Sequence, residues 1–160
     1  YIHDCRYDRT SCGFRIKSAR TRGGLIERIR VRNLRMTDVR EVFSFDLDWN
    51  PSYSYCEIPA NYTGEVPEHW KVLSAPVSKE QGIPRVRDID IADIEASLSP
   101  DYRGKSYAFR VNAYSEEPMR DIRMKNVSIK AYEFGSVSHI KDWELDHVRV
   151  DICQNPDFTE

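Results

Sequence analysis

No apolar run in the 160-residue sequence is long enough to span a bilayer, and no basic-plus-apolar segment of signal type opens it. Charge of one sign is missing too. Lys and Arg number 24 against 26 Asp and Glu, a net −2, which argues against a nucleic-acid partner held by global electrostatics. The four cysteines form no CxxC pair and share no zinc-type spacing with histidine. Cys5 and Cys12 are close enough in sequence to pair across a turn, and free thiols are the alternative. Leucine is scarce: 6 residues against 25 Ile plus Val. Branched side chains suit pleated, half-buried surfaces, so this balance predicts an all-β chain of one domain. Asn-Gly and Asp-Gly dipeptides are absent. That speaks against a β-sandwich, the second architecture to consider, because tight hairpins favour those turns.

What the chain does contain is a repeat. Ile26–Met36, Val86–Ala96, Met119–Ile129 and Ile140–Val150 share one pattern. It reads apolar, two polar, apolar, any, apolar, any, then Asn, Asp or His, then apolar, any, apolar. Residues 2–7 match its second half. Each apolar-x-apolar unit is a short strand with one buried face. The change of phase at Asn33, Asp93, Asn126 and His147 predicts a sharp bend, since Asn and Asp tolerate left-handed backbone. Units this thin bury a continuous core only by stacking. The expected architecture is a right-handed, single-stranded parallel β-helix.

A second strand set lies between the repeats. Residues 14–17, 43–48 and 109–112 alternate apolar and polar, and 132–137 continue the series. With Phe14, Ile16, Phe43, Phe45, Phe109 and Val111 inward, the outer face carries Arg15, Lys17, Ser44, Asp46, Asp48, Arg110 and Asn112. This hydrogen-bonding row is the candidate ligand face. Alternating charges on a strand are also what a merely solvated face looks like. Residues 50–85 hold five of the eight prolines, together with Tyr53, Tyr55, Tyr62 and Trp70. Proline forbids a central strand there, so the segment reads as a packed insertion beside the row, with a short helix over 68–74. Trp49 and the aromatics of this segment could stack on sugar rings or simply pack together.

Gly13-Phe14-Arg15-Ile16-Lys17-Ser18, then Arg20-Thr21-Arg22-Gly23-Gly24 leading into the first full repeat, resembles glycoside hydrolase family 28, the polygalacturonases and rhamnogalacturonan hydrolases. The stretches Pro67–Leu73 and Lys141-Asp142-Trp143 look like bacterial members. The resemblance covers essentially the whole chain. It implies a parallel β-helix with an open cleft that hydrolyses pectin by inversion, using aspartates as acid and base.

The family's Asn-Thr-Asp, Asp-Asp and Gly-His-Gly signatures do not occur here, and neither Asp4 nor Asp8 stands in such a context. The chain therefore reads as C-terminal coils whose N-terminal coils, with the catalytic groups, lie upstream. No catalytic residue is expected within it. By resemblance Arg15 and Lys17 bind the substrate, a planar fork and a point charge for a uronate carboxylate. Ser44, Asp46, Asp48, Arg110 and Asn112 are further cleft candidates. The implied partner is a pectic polysaccharide or oligogalacturonate, with no cofactor, metal, nucleic acid or membrane. The implied location is secreted or periplasmic. A non-catalytic module binding acidic polysaccharide and a calcium-dependent lyase are the competing functions. One Asp46/Asp48 pair is too little for a calcium site.

Overall fold

The computed structural model describes residues 1–50 and 56–156. Its regular structure is mostly parallel β-sheet. One sheet is formed by β1 (Ile2–Asp8), β4 (Ile29–Thr37), β6 (Arg85–Ser97), β8 (Arg120–Ala131) and β10 (Trp143–Ile152), in that spatial order. The short β3 (Leu25–Ile26) pairs with the start of β6. The other sheet is formed by β2 (Cys12–Lys17), β5 (Glu41–Asp46), β7 (Tyr107–Asn112) and β9 (Glu133–Ser138). The chain alternates between the sheets, and each pass lays one strand beside its predecessor in both.

The sequence repeats are the strands of the first sheet, and they stack in register. Ile26 pairs with Val86, and Met119 bridges Ile140. Inner rows such as Val31–Ile91–Met124 and Leu34–Ile94–Val127 are all but removed from water. Opposite them the second sheet stacks Phe14, Phe43 and Phe109 in register, followed by the row Ile16, Phe45, Val111. Phe43 and Phe109 lie nearly parallel, with centroids 5.6 Å apart. Burying a side chain of this size contributes about 1.5–3 kcal/mol. The six residues expected inward are all buried.

The expected bends are present. Asn33, Asp93, Asn126 and His147 have φ between 51° and 59°, and Asp4 joins them at 55°. The Asn33 amide donates to Asp4 and that of Asn126 to Asp93, so neighbouring corners are tied side chain to side chain. A second line of left-handed corners runs through Arg28, Asp88, Asp121 and Asp142. The outer face beside it is held by ion pairs: Arg30 to Asp88 at 3.0 Å, Arg32 to Asp90 at 3.0 Å and Arg123 to Asp88 at 3.0 Å.

The helix expected over 68–74 is α1 (Glu68–Ser74), and a single turn, α2 (Lys79–Gly82), follows it with Ser78 as its cap. None of the α1 side chains is buried. Tyr62 and Trp70 pack on each other at 5.3 Å. The insertion returns against the Gly-Gly loop, where the Gly23 N–H donates to the Gly82 carbonyl at 3.0 Å. Tyr53 and Tyr55 lie outside the described residues. All four cysteines are free. Cys5 packs against the core from the first sheet, whereas the Cys12 thiol points from the second sheet to Glu41 at 3.4 Å, so the two do not pair.

Candidate functional site

The outer face of the second sheet carries two rows that cross its strands. Arg15, Ser44, Arg110 and Ser136 are in register, and beside them run Lys17, Asp46, Asn112 and Ser138. Both rows follow from alternation: with Phe14, Ile16, Phe43, Phe45, Phe109 and Val111 inward, their neighbours must face out. The rows floor a cavity of about 430 Å³. Ser44, at its bottom, is only 4% exposed.

Five of the seven residues expected here line that cavity: Arg15, Ser44, Asp46, Arg110 and Asn112. Lys17 does not line it directly. Its ammonium lies 3.9 Å from the ring centroid of Trp49, which does. Asp48 is outside the cavity because β5 ends at Asp46 and the chain turns. Its carboxylate is instead 3.0 Å from the Tyr114 hydroxyl. That hydroxyl also lies 2.8 Å from the Leu47 carbonyl and accepts from the Arg20 N–H at 2.9 Å. Burial, reinforced by Asp48, pushes the Tyr114 phenol up to about 12. Tyr62 and Trp70 do not line this cavity.

Of the aromatics named for sugar stacking, Trp49 lines the cavity, and Arg40, Glu41, Ser136 and Ser138 are cleft residues that alternation alone did not single out. Glu41 is the most constrained of them. Its carboxylate lies 3.4 Å from Arg15 on one side and 3.4 Å from Arg40 on the other. Burial works to raise its pKa. Hydrogen bonds from Ser44 and Cys12, with the charges of Arg40 and Arg15, outweigh that and hold it below the usual carboxylate range. Glu41 is therefore a fixed anion and poorly suited to donate a proton.

Asp46 is the other carboxylate lining the cavity. Its backbone stands five positions along the same strand from that of Glu41, about 16 Å away at a strand rise near 3.3 Å. An inverting pair of carboxyls stands about 6.5–9.5 Å apart. Glu41, held ionised between Arg15 and Arg40, does not supply the acid of such a pair. What the cleft offers is recognition: cations for carboxylates, and hydroxyls and an amide for sugar hydroxyls.

Among the described residues no group of three or more His, Cys, Asp or Glu is placed to hold a metal ion. No helix among them is long and apolar enough to cross a membrane. Comparison of the chain with models of known families, with curated proteins and with solved structures found no match.

Proposed function

We propose that the two sheets are faces of one right-handed parallel β-helix, and that its cleft binds an acidic, uronate-bearing polysaccharide. On this reading the chain is the C-terminal portion of a secreted or periplasmic pectin-degrading glycoside hydrolase. Arg15 and Lys17 hold substrate carboxylates, while the aspartates that cleave the glycosidic bond belong to a part of the protein upstream of these residues. The observation that carries the reading is the cleft itself. Cations from β2 and β7 and the adjoining Arg40 converge on it, with serine hydroxyls and Asn112 between them. The strand, loop and repeat resemblance to family 28 points to the same ligand class.

A second reading is a non-catalytic module for acidic polysaccharide, supported by the same cleft, in which Glu41 is held as a fixed anion between Arg15 and Arg40. Both readings require binding. Calorimetry of the 160-residue chain with trigalacturonate should show saturable association that weakens with added salt. Lys17→Ala should weaken it about tenfold or more, the loss of one charge-assisted contact. Equal affinity for an uncharged trisaccharide, or no effect of Lys17→Ala, refutes the assignment. Release of reducing ends from polygalacturonate by the full-length gene product then separates hydrolase from module.

A further inference from the structure

Strand β10 pairs with β8 along one side and, among the described residues, with no strand along the other. Its inward side chains continue the buried rows of the first sheet, yet they are not covered. Leu145 is in register with Met124, and Ile152 with Ala131. Met124 and Ala131 are 1% and 0% exposed, whereas Leu145 and Ile152 are 55% and 53% exposed. Phe134 on β9, at the same end of the stack, is exposed as well. Past the left-handed corner at His147, residues 148–152 form one extended edge. The Cys153 N–H donates to the Ala131 carbonyl at the end of β8. Backbone groups alternate in direction along a strand, so the N–H and C=O of Val148, Val150 and Ile152 point away from β8. The edge carries no proline and no inward-pointing charge to block a further strand.

We infer that this edge binds a second copy of the chain, the two joined by a two-fold axis at Val150 with their β10 strands antiparallel. The inference is independent of the polysaccharide function proposed above. In this register Val150 lies opposite Val150 of the second copy and exchanges both backbone hydrogen bonds with it. Val148 lies opposite Ile152, and again the outward N–H and C=O groups meet. The apolar side chains of both copies then share one face. Between them Arg149 lies opposite Asp151, a pairing that the axis makes twice. Within one copy the Arg149 guanidinium already stands 2.8 Å from Asp151, so the two charges are aligned along the edge. A head-to-tail stack, in which β1 of one copy continues the sheet past β10 of another, is worse matched. The repeat register seats Arg6 on Arg149 and Asp8 on Asp151. Like charges directly opposite are destabilising. The charge pattern therefore selects a closed dimer over an open fibre.

The test is sedimentation of the 160-residue chain over a range of concentrations, with substitutions beside the axis. Wild type should show a monomer–dimer equilibrium that stops at the dimer. Under mild oxidation Val150→Cys should give a covalent dimer whose disulfide maps to position 150 in both copies. Opposite residues that exchange hydrogen bonds have Cα atoms about 5.5 Å apart, within disulfide reach. Arg149→Asp sets carboxylate against carboxylate twice and should weaken the dimer about tenfold. Combining Arg149→Asp with Asp151→Arg restores the opposite pairing and should recover the wild-type dimer. Both residues are on the outer face, so these variants should keep the circular dichroism spectrum of wild type. A monomer at every concentration, polymers that grow without limit, a dimer that does not cross-link at position 150, or one that Arg149→Asp leaves unchanged overturns the inference.

Discussion

Gly135→Ala probes the join between fold and cleft. Gly135 ends the inward row that begins with Phe14, Phe43 and Phe109. Its φ is +84°, and a Cβ there would stand 1.9 Å from the Phe109 carbonyl oxygen, where real contacts stay beyond 3.0 Å. Phe109 cannot retreat, because its ring is stacked 5.6 Å from Phe43 and set edge-on 5.6 Å from Trp143. β9 must therefore move off β7 by about an ångström. Left-handed backbone costs an alanine about 1–2 kcal/mol, and two weakened ladder hydrogen bonds cost about 1 kcal/mol each. The sum is about 3–4 kcal/mol, a large share of the 5–15 kcal/mol typical of a domain. Gly24 is the control: its φ is +83°, but a Cβ there meets nothing within 4 Å, so Gly24→Ala should cost the backbone strain alone. Urea unfolding of both variants beside wild type, compared by midpoint at a common slope, reads the difference. A gap of about 2 kcal/mol is expected. Equal losses would refute the close approach of β9 to β7 as the reason for glycine at 135.

Two further outcomes follow from buried polar groups. The Glu41 pKa is depressed from its ordinary 4.5, so its contribution to stability is complete above that pH and is lost as pH falls through the lower, folded-state value. Thermal melts from pH 7 to pH 3 should show wild type and Glu41→Gln converging below pH 4.5; a gap independent of pH would remove Glu41 as the cause. Tyr114→Phe keeps the ring under Arg20 but strands the Arg20 N–H and the Leu47 carbonyl. It should cost about 1–3 kcal/mol in urea unfolding, and it should delete one late-titrating phenol from the alkaline absorbance titration. Unchanged stability would mean that water replaces the hydroxyl.

The first sheet could be read from the sequence because its corners fall where the apolar phase shifts, at Asn33, Asp93, Asn126 and His147. The second line of corners was hidden inside the two polar positions of the same repeat. Arg28 gives no sign of left-handed backbone, since its long side chain is not one that favours it. In the cleft, strict alternation revealed Arg15, Ser44, Asp46, Arg110 and Asn112. It could not reveal Glu41, because Val42 and Phe43 are both buried and the period of two breaks just after it. Ser136 and Ser138 escaped notice because Gly135, their inward neighbour, has no side chain to mark the buried face. Asp48 was misplaced because alternation says nothing about where a strand stops. The contact of Lys17 with Trp49 depends on a loop path beyond any local pattern.

The rows across both sheets also say how this architecture can lengthen. Corner residues run Asp4, Asn33, Asp93, Asn126; the outer face of the first sheet runs Arg30, Asp90, Arg123, Glu144; the cleft runs Arg15, Ser44, Arg110, Ser136. All three alternate with a period of two passes over these four, and the fifth corner, His147, departs from it. Duplicating one pass would seat aspartate on aspartate at a corner and arginine on arginine in the cleft, and like charges directly opposite are destabilising. Duplicating two passes together continues these three rows without seating like charges on each other. The smallest insertable unit of this protein is thus a pair of passes.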